Sequence, residues 1–130
     1  MECNVTVQGL RIFAGGLSAP LVCELSYSTA DPLAVAIVFD VEGRWPVRWL
    51  FARDLLADGL TARTGQGDVV IWPGDEEGSL LVQVRKGHCA AHFKLPLTAV
   101  GKWLARCYGL VPRGHEMQHV DWGELQQFSQ

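Results

Sequence analysis

From Leu33 to Phe39 the chain runs through seven apolar residues without a polar interruption, bounded by Asp31-Pro32 and by Glu42-Gly43. The run is rich in β-branched side chains and reads as a strand buried on both faces, which places it centrally in a sheet. Everything else in the chain must supply strands beside it and an apolar layer to cover it. A fold built around such a strand cannot be a helical bundle.

The neighbouring strands are legible from alternation. Cys3, Val5 and Val7 share one face, after which the apolar phase slips to Leu10 and Ile12 with Gly9 at the slip, the pattern of a β-bulge. Leu21, Cys23, Leu25 and Tyr27 mark a second, half-exposed strand. Trp45, Val47 and Trp49 line the core face of a fourth, and Pro46 assigns it to an edge or a bulge because it lacks an amide donor. A short helix is expected over Phe51–Asp58, pairing Phe51 with Leu55 and stopping at Gly59 in a left-handed cap.

The loop Thr64-Gly65-Gln66-Gly67 leads to a strand over Asp68–Trp72, ended by Pro73-Gly74 and followed by the acidic turn Asp75–Gly78. Leu80, Val82 and Val84, then Cys89, Ala91, Phe93 and Leu95 past Lys86-Gly87, form a hairpin with one wet face. Leu97, Val100, Leu104 and Cys107 or Tyr108 repeat at helical spacing, and Gly109 is expected to close that helix. Asp121 with Glu124, and Val120 with Leu125, carry the spacing of a capping box and a staple for a short terminal helix. The expectation is a single α+β domain spanning residues 1–130, mostly one antiparallel seven-stranded sheet, with a short helix after the fourth strand and C-terminal helices.

Length and charge restrict what this domain can do. With 130 residues it can bury roughly two-thirds of its unfolded surface, so it needs neither disulfides nor a metal to fold. The longest charge-free run near the N-terminus, Ile12–Cys23, contains two glycines and a proline and is too short to span a bilayer. Glu2 stands where a signal peptide would be basic, so a cytoplasmic location is expected, with Cys3, Cys23, Cys89 and Cys107 reduced. Residues 1–77 carry five basic and eleven acidic side chains, whereas residues 78–115 carry six basic and none acidic. Such segregation suits a polyanion, or the joining of two halves within or between subunits, in which case salt should loosen an oligomer.

No set of residues points to catalysis. His88, Cys89 and His92, with Cys107, His115 and His119, are zinc-ligand types, but strand geometry sends Cys89 and His92 to opposite faces and no Cys-x-x-Cys knuckle completes a site. Gly65-Gln66-Gly67 precedes a strand, not a helix, and so lacks the context of a phosphate loop. Glu76-Glu77 lies in a solvated turn. No metal, cofactor or catalytic residue is assigned, and the expectation is a protein that is not an enzyme. Five tryptophans beside a basic half have the composition of a single-strand binder, although Trp45, Trp49 and Trp103 read as packing.

Three stretches are more specific than any of these patterns: Tyr27-Ser28-Thr29-Ala30-Asp31-Pro32-Leu33-Ala34-Val35, Trp49–Leu60 with its Phe51-Ala52-Arg53-Asp54-Leu55-Leu56-Ala57-Asp58-Gly59 core, and Thr64–Pro73. Together with Val111-Pro112-Arg113-Gly114-His115-Glu116 and His119-Val120-Asp121 they resemble the SsgA-like sporulation and cell-division regulators of actinobacteria. The resemblance covers nearly the whole chain; Ser28, Cys23, Cys89 and Cys107 depart from the family pattern.

The resemblance implies a non-enzymatic cytoplasmic protein at the division septum, helping to place or assemble septa. Its implied partners are the tubulin-like FtsZ, septal divisome or membrane proteins and other SsgA-like proteins. It implies no cofactor, no membrane insertion, and a Whirly-like (mitochondrial RNA-binding-protein-like) fold assembled as a homotrimer. The alternative is a Whirly-like single-stranded nucleic-acid-binding protein. The family-motif positions are Asp31, Pro32, Phe51, Arg53, Asp54, Leu55, Gly59, Gly65, Gly67, Asp68, Trp72 and Pro73, with structural or partner-binding roles. Of these, Asp31, Pro32 and Gly59 are expected to shape turns and Phe51 and Leu55 to pack, while Arg53 and Asp54 are surplus to packing.

Overall fold

A computed structural model describes residues 1–119. In chain order the elements are β1 (Glu2–Ile12), β2 (Ser18–Ser28), β3 (Asp31–Phe39), β4 (Val47–Ala52), α1 (Arg53–Gly59), β5 (Val69–Pro73), β6 (Ser79–Lys86), β7 (Cys89–Pro96) and α2 (Leu97–Leu110). Single 3-10 turns occupy Ala14–Gly16 and Glu116–His119. The expected order of four strands, helix, three strands and long helix is present. The capping box and terminal helix expected after residue 119 lie outside the described residues.

All seven strands belong to one antiparallel sheet in the order β4-β3-β2-β1-β7-β6-β5. β1 and β2 pair along their full length, from Glu2 opposite Ser28 to Ile12 opposite Ser18. The junction between the two halves of the sheet is much shorter: β1 meets β7 only at Leu10, Arg11 and Ile12. Phe39 on β3 and Phe93 on β7 nevertheless stack face to face with ring centroids 3.9 Å apart. Residues that lie three strands away from each other in the ladder can touch this closely only if the sheet curls over on itself.

Gly9 marks the curl. The β1–β2 register continues through it without a bulge, so the expected bulge is absent. The phase slip has another cause: a Cβ on Gly9 would lie 2.8 Å from the Lys94 carbonyl oxygen and 2.9 Å from Leu95 Cδ2. Glycine in a strand marks either a bulge or a close approach of another backbone, and here it is the second. The register shift in this half-sheet lies instead between β2 and β3, at Ser26–Ser28. There β3 carries the additional residues, and Leu33 is 51% exposed at the start of the apolar run.

The run itself is therefore less central than expected. β3 is second from the edge, and its burial is two-sided only where Val35, Ala36 and Ile37 succeed one another. β4 is the edge strand, as Pro46 implied, but Trp45 precedes it and is 79% exposed, so that tryptophan is not a core residue. Phe51 belongs to β4, which leaves no helical Phe51–Leu55 pair.

The inner face of the sheet is covered by the two helices. α2 buries Val100, Trp103, Leu104 and Cys107. Trp103 sits deep in the core, and its indole donates to the Cys3 carbonyl oxygen at 3.0 Å, which fixes α2 to the stretch of β1 that β7 leaves unpaired. The helix continues through Gly109 to Leu110, so this glycine does not terminate it. Burial pushes the thiols of Cys23 and Cys107 up to about 11 and about 12, which suits small apolar fillers better than nucleophiles.

Gly59 ends α1 for a reason other than a left-handed cap: it keeps a negative φ, and a Cβ there would lie 2.7 Å from Cβ of the fully buried Ile71. Helix and edge strand touch through the missing side chain. Gly65 does adopt a positive φ of 105°, and its Cβ position is blocked by the Val69 carbonyl. Gly67 has open space around it. Gly59→Ala is expected to cost about 1–3 kcal/mol through overpacking, whereas Gly67→Ala should change stability by less than about 1 kcal/mol. Urea titration of both variants checks the contrast.

Candidate functional site

The motif stretches, far apart in the chain, converge on one side chain. Arg53 opens α1 directly after β4, so the strand-to-helix corner aims it inward beneath the end of α2. Only 1% of its surface is exposed. Its Nη1 donates to the Tyr27 hydroxyl at 3.1 Å, the Val111 carbonyl at 2.8 Å and the Cys107 carbonyl at 3.3 Å. Nη2 donates to Glu116 Oε1 at 2.9 Å. The guanidinium carbon lies 3.9 Å from the Tyr108 ring centroid and 5.0 Å from that of Tyr27.

The contacts gather a helix end, a carboxylate and a hydroxyl around one cation. The Cys107 and Val111 carbonyls lie at the end of α2, where a cation is favoured, and the Cys107 carbonyl accepts from Arg53 in addition to the Val111 amide. Glu116 is buried, and its carboxyl is held below its ordinary range first by a hydrogen bond from its own backbone amide and then by Arg53, against the opposing effect of burial. The Tyr27 hydroxyl passes the interaction on by donating to the Pro32 carbonyl at 3.0 Å. Burial raises the Tyr27 hydroxyl above its ordinary value, partly opposed by the Arg53 charge. Arg53 Nε is the one buried side-chain polar atom with no hydrogen-bond partner among the described residues.

A second, more exposed layer closes over the first. Tyr108 donates to Asp54 Oδ1 at 2.6 Å, and its hydroxyl is held well above its ordinary value, first by burial and then by that bond. Arg113 reaches back to α1, with a two-pronged bond to Asp58 at 2.9 and 3.1 Å and a contact to Asp54 Oδ2 at 3.4 Å. Arg113 holds the Asp58 carboxyl below its ordinary value by hydrogen bonding. These pairs, together with Lys94 to Glu76 at 2.9 Å, join the basic segment to the acidic one inside a single chain.

The expectation that Arg53 and Asp54 are surplus to packing is therefore corrected: both are spent holding α1 to α2 and to the segment after it. Pro32, Phe51 and Leu55 are buried or partly buried around this lock, and Asp31 is exposed beside it. Gly59 and Gly65 serve the α1–β5 contact just described. Asp68 accepts the Arg85 amide at 2.8 Å and so closes the β5–β6 end. Trp72 and Pro73 lie half-buried at the end of β5, with the Arg63 guanidinium 4.5 Å above the Trp72 ring.

Sequence reasoning missed Tyr27, Tyr108 and Glu116 as partners. The available signal was an arginine at an element boundary between Phe51-Ala52 and the apolar Leu55-Leu56, where a buried cation demands a carboxylate.

Among the residues considered for zinc, Cys89, His92 and Cys107 lie apart. Cys89 is exposed beside the hairpin turn, Cys107 is buried under α2, and the His92 ring bonds Gln83 at 3.1 Å. Among the described residues no three His, Cys, Asp or Glu side chains come together as a metal set. No helix among them is long and apolar enough to cross a membrane. On the β4 edge Val47 and Leu50 are 49% and 53% exposed.

Arg53→Ala is expected to destabilise the fold by about 3 kcal/mol or more, the scale for removing one partner of a buried ion pair, measured by chemical denaturation. Because the folded Glu116 carboxyl is depressed, its contribution is complete above its ordinary value of 4.5 and is lost as pH falls below that value. Thermal unfolding followed downward from pH 6 should show that loss, and Glu116→Gln should flatten it.

Comparison with known proteins agrees with this architecture. The family model described as Streptomyces sporulation and cell division protein, SsgA, matches residues 21–116. The sporulation-specific cell division protein SsgB of Thermobifida fusca is 38% identical over 123 residues, covering 93% of this chain and 88% of that protein. SsgB of Streptomyces coelicolor is 39% identical over 106 residues, covering 80% and 77%. A solved structure reported under the words "Mutations in SsgB correlate to longitudinal cell division during sporulation of Streptomyces coelicolor" superposes with a TM-score of 0.86 at 33% identity, covering 92% of this chain and 96% of that one. The matched region takes in β2 through Glu116, and with it every residue of the Arg53 lock. This chain belongs to the SsgA family of sporulation and cell division proteins.

Proposed function

We propose that the protein is a non-enzymatic adaptor of sporulation-specific cell division, cytoplasmic and recruited to the septum, where it helps position or assemble the division machinery built on FtsZ. The observation that carries this reading is how the motif residues are used. Arg53, Asp54, Asp58, Tyr108, Arg113 and Glu116 are engaged with one another, and the lock they form does structural work. What the protein offers to the cell is its outer surface on a rigid curled sheet, the property of a scaffold and not of a reaction centre. Relatives named sporulation-specific cell division proteins support the process in which that surface is used.

On this reading the protein works as a self-associating unit, a homotrimer with Whirly-like architecture, and meets FtsZ, septal membrane proteins or other family members through exposed patches. Nucleic-acid binding is the weaker alternative. The face of Trp72 that would stack a base already carries Arg63, and Trp103 is inaccessible.

Imaging a functional fluorescent fusion together with labelled FtsZ through septation is expected to show septal foci or ladders. Foci that precede FtsZ rings identify a site marker, and foci that follow them identify a recruited factor. A nucleoid-confined signal would favour nucleic-acid binding, and a diffuse signal at all stages would refute the adaptor reading.

A further inference from the structure

The outer face of β1–β4 and the outward side of α2 carry opposite net charge without ion-pair partners among the described residues. On the outer face of β1–β4 lies a trough of about 320 Å³ floored by small side chains, among them Ala34 and Ala36. Glu2, Glu24 and Asp31 line it together with one cation, Arg48, so three carboxylates face one guanidinium, and none of the four makes an ion pair among the described residues. Leu50 stands on its rim, half exposed. On the opposite side of the molecule α2 covers the inner face and turns Lys102, Ala105, Arg106 and Gly109 outward. Lys102 and Arg106 are four residues apart on one helix face, and neither makes an ion pair among the described residues.

We propose that the acidic trough of one copy docks the basic face of α2 of the next copy, a head-to-tail contact between unlike surfaces of the same chain. The fit is one of shape as well as sign. A helix stripe of small residues, Ala105 and Gly109, flanked by two cations can approach a floor of alanine and serine bounded by three carboxylates, with Arg48 on the β4 side. Leu50 then packs on the aliphatic stems of Lys102 and Arg106, which would otherwise lie in water.

A second copy is the occupant favoured by the charge distribution. The eleven acidic side chains of residues 1–77 and the six basic ones of residues 78–115 are only partly matched within the chain, and the unmatched ones on these two faces are complementary. Joining trough to trough, or helix to helix, would oppose like charges. A heterologous contact closes into a ring when its rotation permits and otherwise continues as a filament. The inference deepens the adaptor reading by naming the surfaces through which copies join, and it rests on that self-association.

Sedimentation velocity on the full chain at low ionic strength tests it. The unmodified protein is expected to sediment above the mass of one chain and to shift toward it in high salt. Glu2→Lys with Glu24→Lys, and separately Lys102→Glu with Arg106→Glu, should each weaken association at least about a hundredfold, because like charges are then juxtaposed. Mixing the two doubly reversed proteins, or combining all four changes in one chain, should restore the heavier species. All four positions are at the surface, and circular dichroism confirms folding. Where a reversal misfolds, the neutral pair Glu24→Gln and Lys102→Gln replaces it and should weaken association more mildly.

A heavier species that neither reversal disturbs overturns the proposed contact while leaving self-association standing. Reversals that each disrupt but do not rescue one another overturn the pairing of these two surfaces, and place another partner on each. A chain that sediments as one copy under every condition removes both the contact and the self-association it rests on.

Discussion

A guanidinium with 1% of its surface exposed sets the terms for the rest of this structure. Removing such a charge from water costs several kcal/mol, and the attraction to one carboxylate does not reliably repay it. Arg53 is tolerable because the surrounding chain offers several kinds of compensation at once: the Glu116 charge, two carbonyls at the end of α2, a tyrosine hydroxyl and an aromatic face. They come from three segments. β2 supplies Tyr27, α2 supplies Tyr108 and Cys107, and the residues after α2 supply Val111 and Glu116. The demand for compensation of one buried cation therefore fixes the positions of both helices on the sheet.

The curl of the sheet is the second determinant, and it depends on the first. A ladder of only three residue pairs joins β1 to β7. Beyond that ladder β1 needs another neighbour, and α2 provides it through Trp103 and the Cys3 carbonyl. α2 in turn is held at its far end by Arg53. Glycine at position 9 lets the β7 backbone cross closely, and the stacked Phe39 and Phe93 fill the space enclosed by the curl. Sheet closure, helix docking and the ion lock are thus one cooperative arrangement, in which loosening any part exposes groups that the others were satisfying.

What could be read in the sequence follows from the range of the interactions. The β6–β7 hairpin, with Leu80, Val82 and Val84 facing Leu95, Phe93 and Ala91, was legible because alternation and a Lys-Gly turn are local signals. The edge position of β4 was legible because Pro46 cannot donate. The misreadings at Gly9, Gly59 and Gly109 share a cause. Each glycine was interpreted by its local backbone role, whereas Gly9 and Gly59 answer to atoms from β7 and β5, and Gly109 lies inside its helix. Arg53 failed in the same way: its partners lie 26 to 63 residues away, and no periodicity carries information over that distance.

The division between buried and exposed charge bears on how function is distributed over the fold. A motif that is occupied in satisfying itself constrains the scaffold tightly and leaves little freedom at Arg53, Tyr27 or Glu116. The trough carboxylates and the α2 cations satisfy no such internal demand, so substitution there costs the fold little and alters only what the surface meets. In this chain the residues that make it recognisable build the lock, and the residues of the proposed contact are a different set, on the outer face of β1–β4 and along α2.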